Sequence, residues 1–577
     1  MKSRRTKVAL AVAMTSALAL TACADGGSTG GKTDGGTGAT QGSGGGEQSN
    51  IDLRNTQDRA SLDQGGTVTL GMDSFPTNFN GWHNDGNLAA WHDIERATDP
   101  LLFQYAPDGT ASPRTEFLTE MPKVDESSGK EVITYKLNPK AVWNDGTKID
   151  WKSFEATWKA NRATIDKEGF NNTGTTAGYE DVESVKQGAS AEEVVVTMKK
   201  KFYPVTEVFG GLIHPKLSEK EAFNTLMKTE AHPELRSGPF TIDKIDNTAQ
   251  TIVLKPNEKW WGNKPLLDQV VFRQMENSAD IPAFKNGEID RVRVGNKARR
   301  QQVEGAPNME IRTTPRLVTN VFVFNSKAPS LKDVNVRKAL WQGIDREQLR
   351  QVRFNGLDYS EKPLNSGLFY SFQPEYEDNM PVTFDKAAAE KTLQDAGYAK
   401  GSDGFYAKDG QKLTVKYTTF GDDPMTTALS QTVQNQLKAV GVDLQIDLRP
   451  SASFGEAMEK KDYDFLAMGW SPSSNSPLGS ICQTMCSGQS NNMANVGTPE
   501  IDARIKKIGE ISDPAAQAKE MNAVEKEWLK QYGQLPTWSG PDMWAYRTGL
   551  ANFGPAAYAS ITPKWEDVGW QQGSTHN

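Results

Sequence analysis

The thiols, the imidazoles and one glycine-rich stretch of this 577-residue chain are the groups whose spacing can be tested for chemistry. Gly26-Gly27-Ser28-Thr29-Gly30-Gly31-Lys32-Thr33 has the spacing of a phosphate-binding loop, and its first five residues have that of a nucleophile elbow. Both chemistries need the loop clamped between a buried strand and a helix. Only low-complexity sequence follows this one, so neither is expected. The five histidines, His83, His92, His214, His232 and His576, are scattered and form no metal-binding spacing. Cys482 and Cys486 stand as C-x3-C, which in an exported protein reads as a small disulfide ring. Zinc, the competing reading, lacks partners, because no histidine lies between His232 and His576. Neighbouring carboxylates such as Asp422 and Asp423 do not identify a general acid and base, since such a pair need only be close in space. No catalytic residue, cofactor or metal is expected; an enzyme is unsupported and a binding role comes forward.

The third thiol, Cys23, is placed for a different reaction. Lys2, Arg4, Arg5 and Lys7 form a basic start, and Val8 to Leu20 is apolar but too short to span a bilayer. Leu20-Thr21-Ala22-Cys23 resembles the lipobox of bacterial lipoproteins, in which cleavage ahead of the cysteine leaves it diacylated. Residues 1–22 are thus expected to be a signal peptide and 23–50 a lipid anchor with a Gly/Ser/Thr-rich tether, reaching roughly 30 Å if flexible. The expected location is the cell membrane, lipid-anchored on its extracytoplasmic face. Losing four cations with the signal takes the net charge from −8 to −12, which leaves no nucleic-acid footprint.

Certain elements must position any site in the remaining length, which exceeds one core and calls for two lobes. Leu413, Val415 and Tyr417 alternate as a strand; Leu429, Val433, Leu437 and Val440 recur at helical spacing; Gly441 is placed to stop that helix; Val442, Leu444, Ile446 and Leu448 alternate again. This is a β-α-β unit. An amphipathic segment around Phe454 follows, then Phe465 to Trp470, apolar throughout, as a strand covered on both faces would be. Ligands bind outside the carboxyl ends of strands in open α/β sheets, so a cleft is expected at the loops after Tyr417 and Trp470. Elsewhere Val132 to Leu137 reads as a strand, Asn144-Asp145-Gly146 as a turn, and Asp150 to Ala160 as a helix with Trp151, Phe154 and Trp158 on one face. Asp385 is read as the N-cap of a helix ended by Gly397.

An ordered series of short motifs then resembles the bacterial extracellular solute-binding proteins of family 5, the dipeptide- and oligopeptide-binding lipoproteins of ABC importers. It runs through Trp143-Asn144-Asp145-Gly146-Thr147, Ser237-Gly238-Pro239-Phe240, Asn257 to Pro265 with Trp260-Trp261, Gly287-Glu288-Ile289-Asp290, Phe324-Asn325, Val334 to Leu340, and Ile344-Asp345-Arg346. The pattern also resembles the actinobacterial branch labelled monoacyl phosphatidylinositol tetramannoside-binding proteins. The resemblance implies an α/β fold of the two-lobed type II (cluster C) periplasmic-binding-protein class with an extra N-terminal subdomain. It implies a first lobe over 51–312, a second over 313–540, and a segment, 541–577, returning to the first.

What the resemblance implies for function is capture of a peptide or related solute by hinged lobe closure, with ABC permease subunits as partners. The alternative is a non-transport envelope lipoprotein that binds a glycolipid or regulates lipoglycan synthesis. In peptide-binding members a loop aspartate after a strand-ending Trp pairs with the peptide's amino group. Here Trp470 is followed by Ser471, Pro472, Ser473, Ser474 and Asn475, with Ser473 in the aspartate's place. Burying an ammonium without a carboxylate is costly by several kcal/mol, so either Asp422 or Asp423 substitutes, or the ligand is a blocked or modified peptide, a glycoside or a glycolipid. Trp470, Ser471, Ser473 and Asn475, with Phe420, are the expected second-lobe contacts, and Asn78, Phe79 and Trp82 the first-lobe ones.

Overall fold

Twelve strands build the two largest sheets, and the order in which the chain visits them explains where a cleft can form. The computed structural model describes residues 51–574 apart from 73, 164, 174, 175, 422, 451, 452, 473 and 490. Cys23, the signal and tether segments, the glycine-rich loop, Asp422, Ser473 and His576 lie outside the described residues. The first sheet uses Thr67–Met72 (β1), Phe240–Asp246 (β2), Thr251–Pro256 (β3), Gln269–Gln274 (β4), Arg291–Arg293 (β5) and Met309–Pro315 (β6). The second uses Thr319–Phe324 (β7), Thr414–Phe420 (β8), Asp443–Arg449 (β9), Phe465–Trp470 (β10) and Gln534–Trp538 (β11). Pro541–Arg547 (β12) then pairs with β5 and β6, so the chain re-enters the first sheet. The seven-stranded order is β6-β12-β5-β1-β4-β3-β2, and the five-stranded order is β9-β8-β10-β7-β11.

Two short crossings join the sheets side by side, one between β6 and β7 and one between β11 and β12. Arg316 N–H donates to the carbonyl of Gly540 at 3.0 Å, and Asn320 Nδ2 donates to Trp538 O at 3.0 Å and Ser539 O at 3.2 Å. Gly540 sits at φ +83°, a left-handed turn that glycine adopts without a Cβ clash. Glu361 accepts from the N–H groups of Ser539 and Gly540, so a carboxylate holds this crossing.

Local rules account for the second sheet. β8 and β9 run parallel, joined by the helix Pro424–Ala439, as the alternation and the 3.6-residue period predict. Val433 and Leu437 are buried, and Gly441 takes φ +78° beyond the helix end. Phe465 stacks on Tyr417 at 4.3 Å and on Phe324 at 4.7 Å, which pins β10 between β8 and β7 at its start. The expectation for the rest of β10 fails. β8 pairs with it only at Phe465 and Leu466, so Ala467 and Gly469 are exposed and the strand's far end stands open on one side.

A four-stranded antiparallel sheet, Lys123–Asp125, Val132–Lys136, Glu193–Met198 and Val182–Gln187 in spatial order, forms a further layer. The helix Trp151–Asn161 packs beside it, capped by Asp150, whose side chain accepts from Lys152 N–H at 2.8 Å. Phe154 is fully buried on it, and Trp158 Nε1 donates to Tyr179 O at 3.1 Å. The scattered motifs meet here: Asn257 Nδ2 donates to Asn144 Oδ1 and to Gly238 O, both at 2.8 Å, and Ser237 Oγ donates to Val142 O at 2.7 Å. Their work is to knot turns together. Asp385 caps Lys386–Asp395, with Gly397 at φ +87° after it.

Candidate functional site

The open end of β10 forms one wall of a cavity of about 80 Å³. Trp470, Ser471, Pro472, residues 474–477 and the helix Leu478–Thr484 supply that wall; Thr319 of β7, Gln534 of β11, Tyr370, Trp528 and Tyr558 supply others. Trp470 Nε1 donates to Gln534 Oε1 at 2.9 Å, which fixes the indole edge and leaves the amide nitrogen of Gln534 for another partner. A bond joins Cys482 to Cys486 across the helix end that carries Gln483, Thr484 and Met485 onto the lining.

The loop after β10 is held mainly by residues far away in sequence. Asn475 Nδ2 donates to Gly109 O at 2.8 Å, and Ser474 Oγ donates to Glu207 Oε2 at 2.9 Å. Gly109 is at φ +93°, and a Cβ there would meet the Tyr558 ring at 3.2 Å and Asn475 Cβ at 3.4 Å, so the close approach needs glycine. Glu207 also accepts from the backbone N–H groups of Ser476 and Gly479. Burial pushes its carboxyl up to about 7 against the lowering effect of those hydrogen bonds. Tyr105, Tyr179 and Tyr558 lie near enough for its charge to raise their phenols further, on top of burial.

Four buried polar atoms around this cavity have no hydrogen-bond partner among the described residues. Two are donors, Gln534 Nε2 and Trp528 Nε1; two are acceptors, Asn475 Oδ1 on the lining and Glu207 Oε1 behind it, beside Ser474. Buried polar groups are almost always paired, and each left alone costs about 1–3 kcal/mol. Concentrated at one cavity, such atoms make a surface pre-arranged for a polar ligand. The free space is well below the roughly 300–1,000 Å³ of ordinary ligand sites, so the walls must part for anything larger than a few waters to enter.

Trp470, Ser471 and Asn475 therefore meet at one cavity, while the other sequence candidates are placed elsewhere. Asn78 and Phe79 are buried, the Phe79 ring edge-on to Trp91 at 5.2 Å within the first sheet's core. Trp82 packs against that same core. These three do not line this cavity: Phe79 and Trp82 pack inside the first sheet's layer, and Asn78 is buried beside them with its Nδ2 unpaired. Asp423 accepts from Met425 N–H at 2.9 Å as the cap of Pro424–Ala439, and Phe420 lies edge-on to Phe454 at 5.2 Å; neither lines the cavity. Glu207, Gly109, Gln534, Trp528 and Tyr558 were missed, since no spacing rule marks one glutamate among 73 acidic residues. Groups of acidic, histidine or cysteine residues able to hold a metal are absent among the described residues.

The described fold and its cavity define a two-lobed binding protein. The family described as "Bacterial extracellular solute-binding proteins, family 5 Middle" matches residues 113–492, and the chain belongs to that family. It is 32% identical over 515 residues to the oligopeptide-binding protein OppA of Mycobacterium tuberculosis strain H37Rv, covering 88% of this chain and 85% of OppA. It is 23% identical over 371 residues to the probable monoacyl phosphatidylinositol tetramannoside-binding protein LpqW of that strain, covering 59% of this chain and 56% of LpqW. Among solved structures, the periplasmic EDTA-binding protein EppA superposes with a TM-score of 0.80 at 21% identity, covering 90% of this chain and 99% of EppA. The fold is that of a type II periplasmic binding protein.

Proposed function

We propose that the protein captures peptides at the cavity beside Trp470 and hands them to an ABC importer, tethered to the membrane through a lipid on Cys23. The observation that carries this reading is the set of unpaired donors and acceptors around the cavity: a peptide backbone presents both kinds of group to match them. Family membership and the similarity to an oligopeptide-binding protein support it. The crossings at 316–318 and 539–540 are short enough to act as a hinge, and a ligand that touches both walls favours the closed state by its differential affinity.

Glu207 supplies the negative charge that Ser473 does not. A ligand ammonium paired with its Oε1 would find the site's buried carboxylate, and Asp423 is excused from that task by its capping bond. Binding of an amine then tightens as pH rises through about 7, where Glu207 ionises, and weakens once the α-amine loses its proton above roughly 8. A thermal-shift titration with peptides bearing free and acetylated N-termini tests this. At 100 Kd a ligand adds about 2.7 kcal/mol. Response to free peptides, lost on acetylation, is expected; an equal response to both would remove Glu207 from amine recognition.

A second reading, a non-transport envelope lipoprotein that binds a glycolipid, is favoured by the partial likeness to the tetramannoside-binding protein. Silence toward every peptide together with a response to a mannosylated inositol headgroup would establish it over the first.

A further inference from the structure

The helices that follow β10 carry two glycines where the backbone has no need of one. Gly509, directly after the helix Pro499–Ile508, keeps a helical φ of −58°, and Gly479 lies inside the helix Leu478–Thr484, where glycine weakens a helix. One segment from elsewhere in the chain explains both. Residues 202–207, which leave the strand Glu193–Met198 of the four-stranded layer, press against these two positions. A Cβ on Gly509 would stand 3.1 and 3.4 Å from two atoms of the Phe202 ring, and one on Gly479 would run into the Glu207 carboxylate.

The contact is bonded as well as close. Tyr203 N–H donates to Gly509 O at 2.7 Å, and Tyr203 O accepts from Gln517 Nε2 at 2.8 Å. Gln517, on the helix Pro514–Leu529, is buried and also donates to Ile508 O at 3.1 Å, so the end of one helix and the body of the next grip Tyr203 together. From its own layer the segment is held by Glu131 Oε2, which accepts from Phe202 N–H at 2.7 Å. At the segment's far end Glu207 takes the Ser474 hydroxyl at 2.9 Å. Beside the latched segment, Lys506 pairs with Glu180 at 3.5 Å, and Asn491 Nδ2 donates to Thr173 O at 3.3 Å. Each of these bonds joins protein to protein, and none waits on a ligand.

We propose that residues 202–207 form a latch that holds the four-stranded layer shut against the helices after β10 before any ligand is bound. This rests on the reading of the two crossings as a hinge and deepens it, because closure is set from outside the cavity: Phe202, Tyr203, Gly509 and Gln517 take no part in its lining. A ligand reaches a cavity of about 80 Å³ only after the latch opens. Its apparent affinity is then lowered by the fraction of molecules that stay shut.

Pulsed electron–electron spin resonance on the ligand-free full chain tests the latch. Nitroxides go on Lys186→Cys, in the strand Val182–Gln187, and on Lys519→Cys, in the helix Pro514–Leu529, both exposed positions, in a Cys23→Ser background. The parent gives one short distance. Gly509→Val, whose branched side chain wedges against Phe202, moves most of the population to a distance longer by more than about 2 Å. Gly479→Ala, which pushes on the Glu207 carboxylate, does the same to a lesser degree, whereas Gly295→Ala, whose added methyl meets nothing within 4 Å, changes nothing. A long distance in the ligand-free parent overturns the proposal, and so does a short one that survives both Gly509→Val and Gly479→Ala in protein folded by circular dichroism. No ligand enters this measurement, so the peptide titration stands or falls separately.

Discussion

The loop at 78–82 and the loop at 470–477 both carry aromatic and amide residues, yet they hold them for opposite purposes. The first draws its bonds from its own layer: Asn78 Oδ1 accepts from Asn80 N–H, Asn80 Oδ1 from Trp82 N–H, Glu95 Oε1 from Gly81 N–H, and Phe79 O from Arg236 Nη2 at 2.6 Å, while Asn78 Nδ2 stays buried without a partner. The second reaches outward to Glu207 and Gly109 and leaves an amide oxygen unpaired. Bonds kept within one layer brace that layer, whereas bonds that cross to another layer tie two distant segments together.

The sharpest way to break that contrast is Arg236→Ala. Arg236 is buried, with Nη1 on both oxygens of Asp99 at 2.6 and 2.8 Å. Stripping the partner from a buried carboxylate should cost about 3–5 kcal/mol by urea denaturation, with no change in ligand affinity of the folded protein. A loss under about 1 kcal/mol would deny the first loop its scaffold role. Phe79→Ala should cost about 3–5 kcal/mol by the same route and leave affinity within about twofold; a large affinity loss would instead return Phe79 to the binding surface. Replacing Cys482 and Cys486 by serine opens a five-residue ring, worth at most about 2 kcal/mol in the chain-entropy model. Loosening the cavity's helix should weaken ligand more than it lowers Tm.

Trp470→Ala should weaken ligand about tenfold, or about 1.4 kcal/mol, while its stability cost stays near that of one lost hydrogen bond plus partial exposure, about 1–2 kcal/mol. The smallest effect is a pH slope. With Glu207 at about 7 in the folded protein against an ordinary 4.5, the native state holds a proton that the unfolded chain has released between those values. Its contribution to stability is therefore fully present below about 4.5 and is lost as pH rises through about 7. Glu207→Gln should flatten that decline in denaturation curves across this window. Glu131, a second carboxyl that burial pushes up to about 7, keeps part of the slope; an unchanged slope in the Glu207→Gln variant would deny that burial raises the Glu207 carboxyl.

Much of the second sheet was legible because its signals are local. The β-α-β unit from Thr414 to Arg449, the caps at Asp150 and Asp385, and the stop at Gly441 depend on neighbours within a few residues. Trp470, Ser471 and Asn475 line the cavity because loops beyond strand ends are where such sheets open. The covering of β10 was misread because an apolar run does not reveal that β8 stops pairing after Leu466. Asn78, Phe79 and Trp82 stand apart from that cavity, a placement the sequence does not reveal because an aromatic chosen by position looks the same whether it faces a core or a cleft.

By itself the sequence determined the strand and helix periods, the caps, the disulfide spacing and the family, all set by residue type at short range or by motifs kept in order. Only the tertiary structure decided that Glu207 stands against the loop after Trp470 and that the chain crosses twice between sheets. The reason is physical: burial and unpaired polar atoms are properties of packed surfaces, and residues hundreds of positions apart acquire them only when the chain closes upon itself.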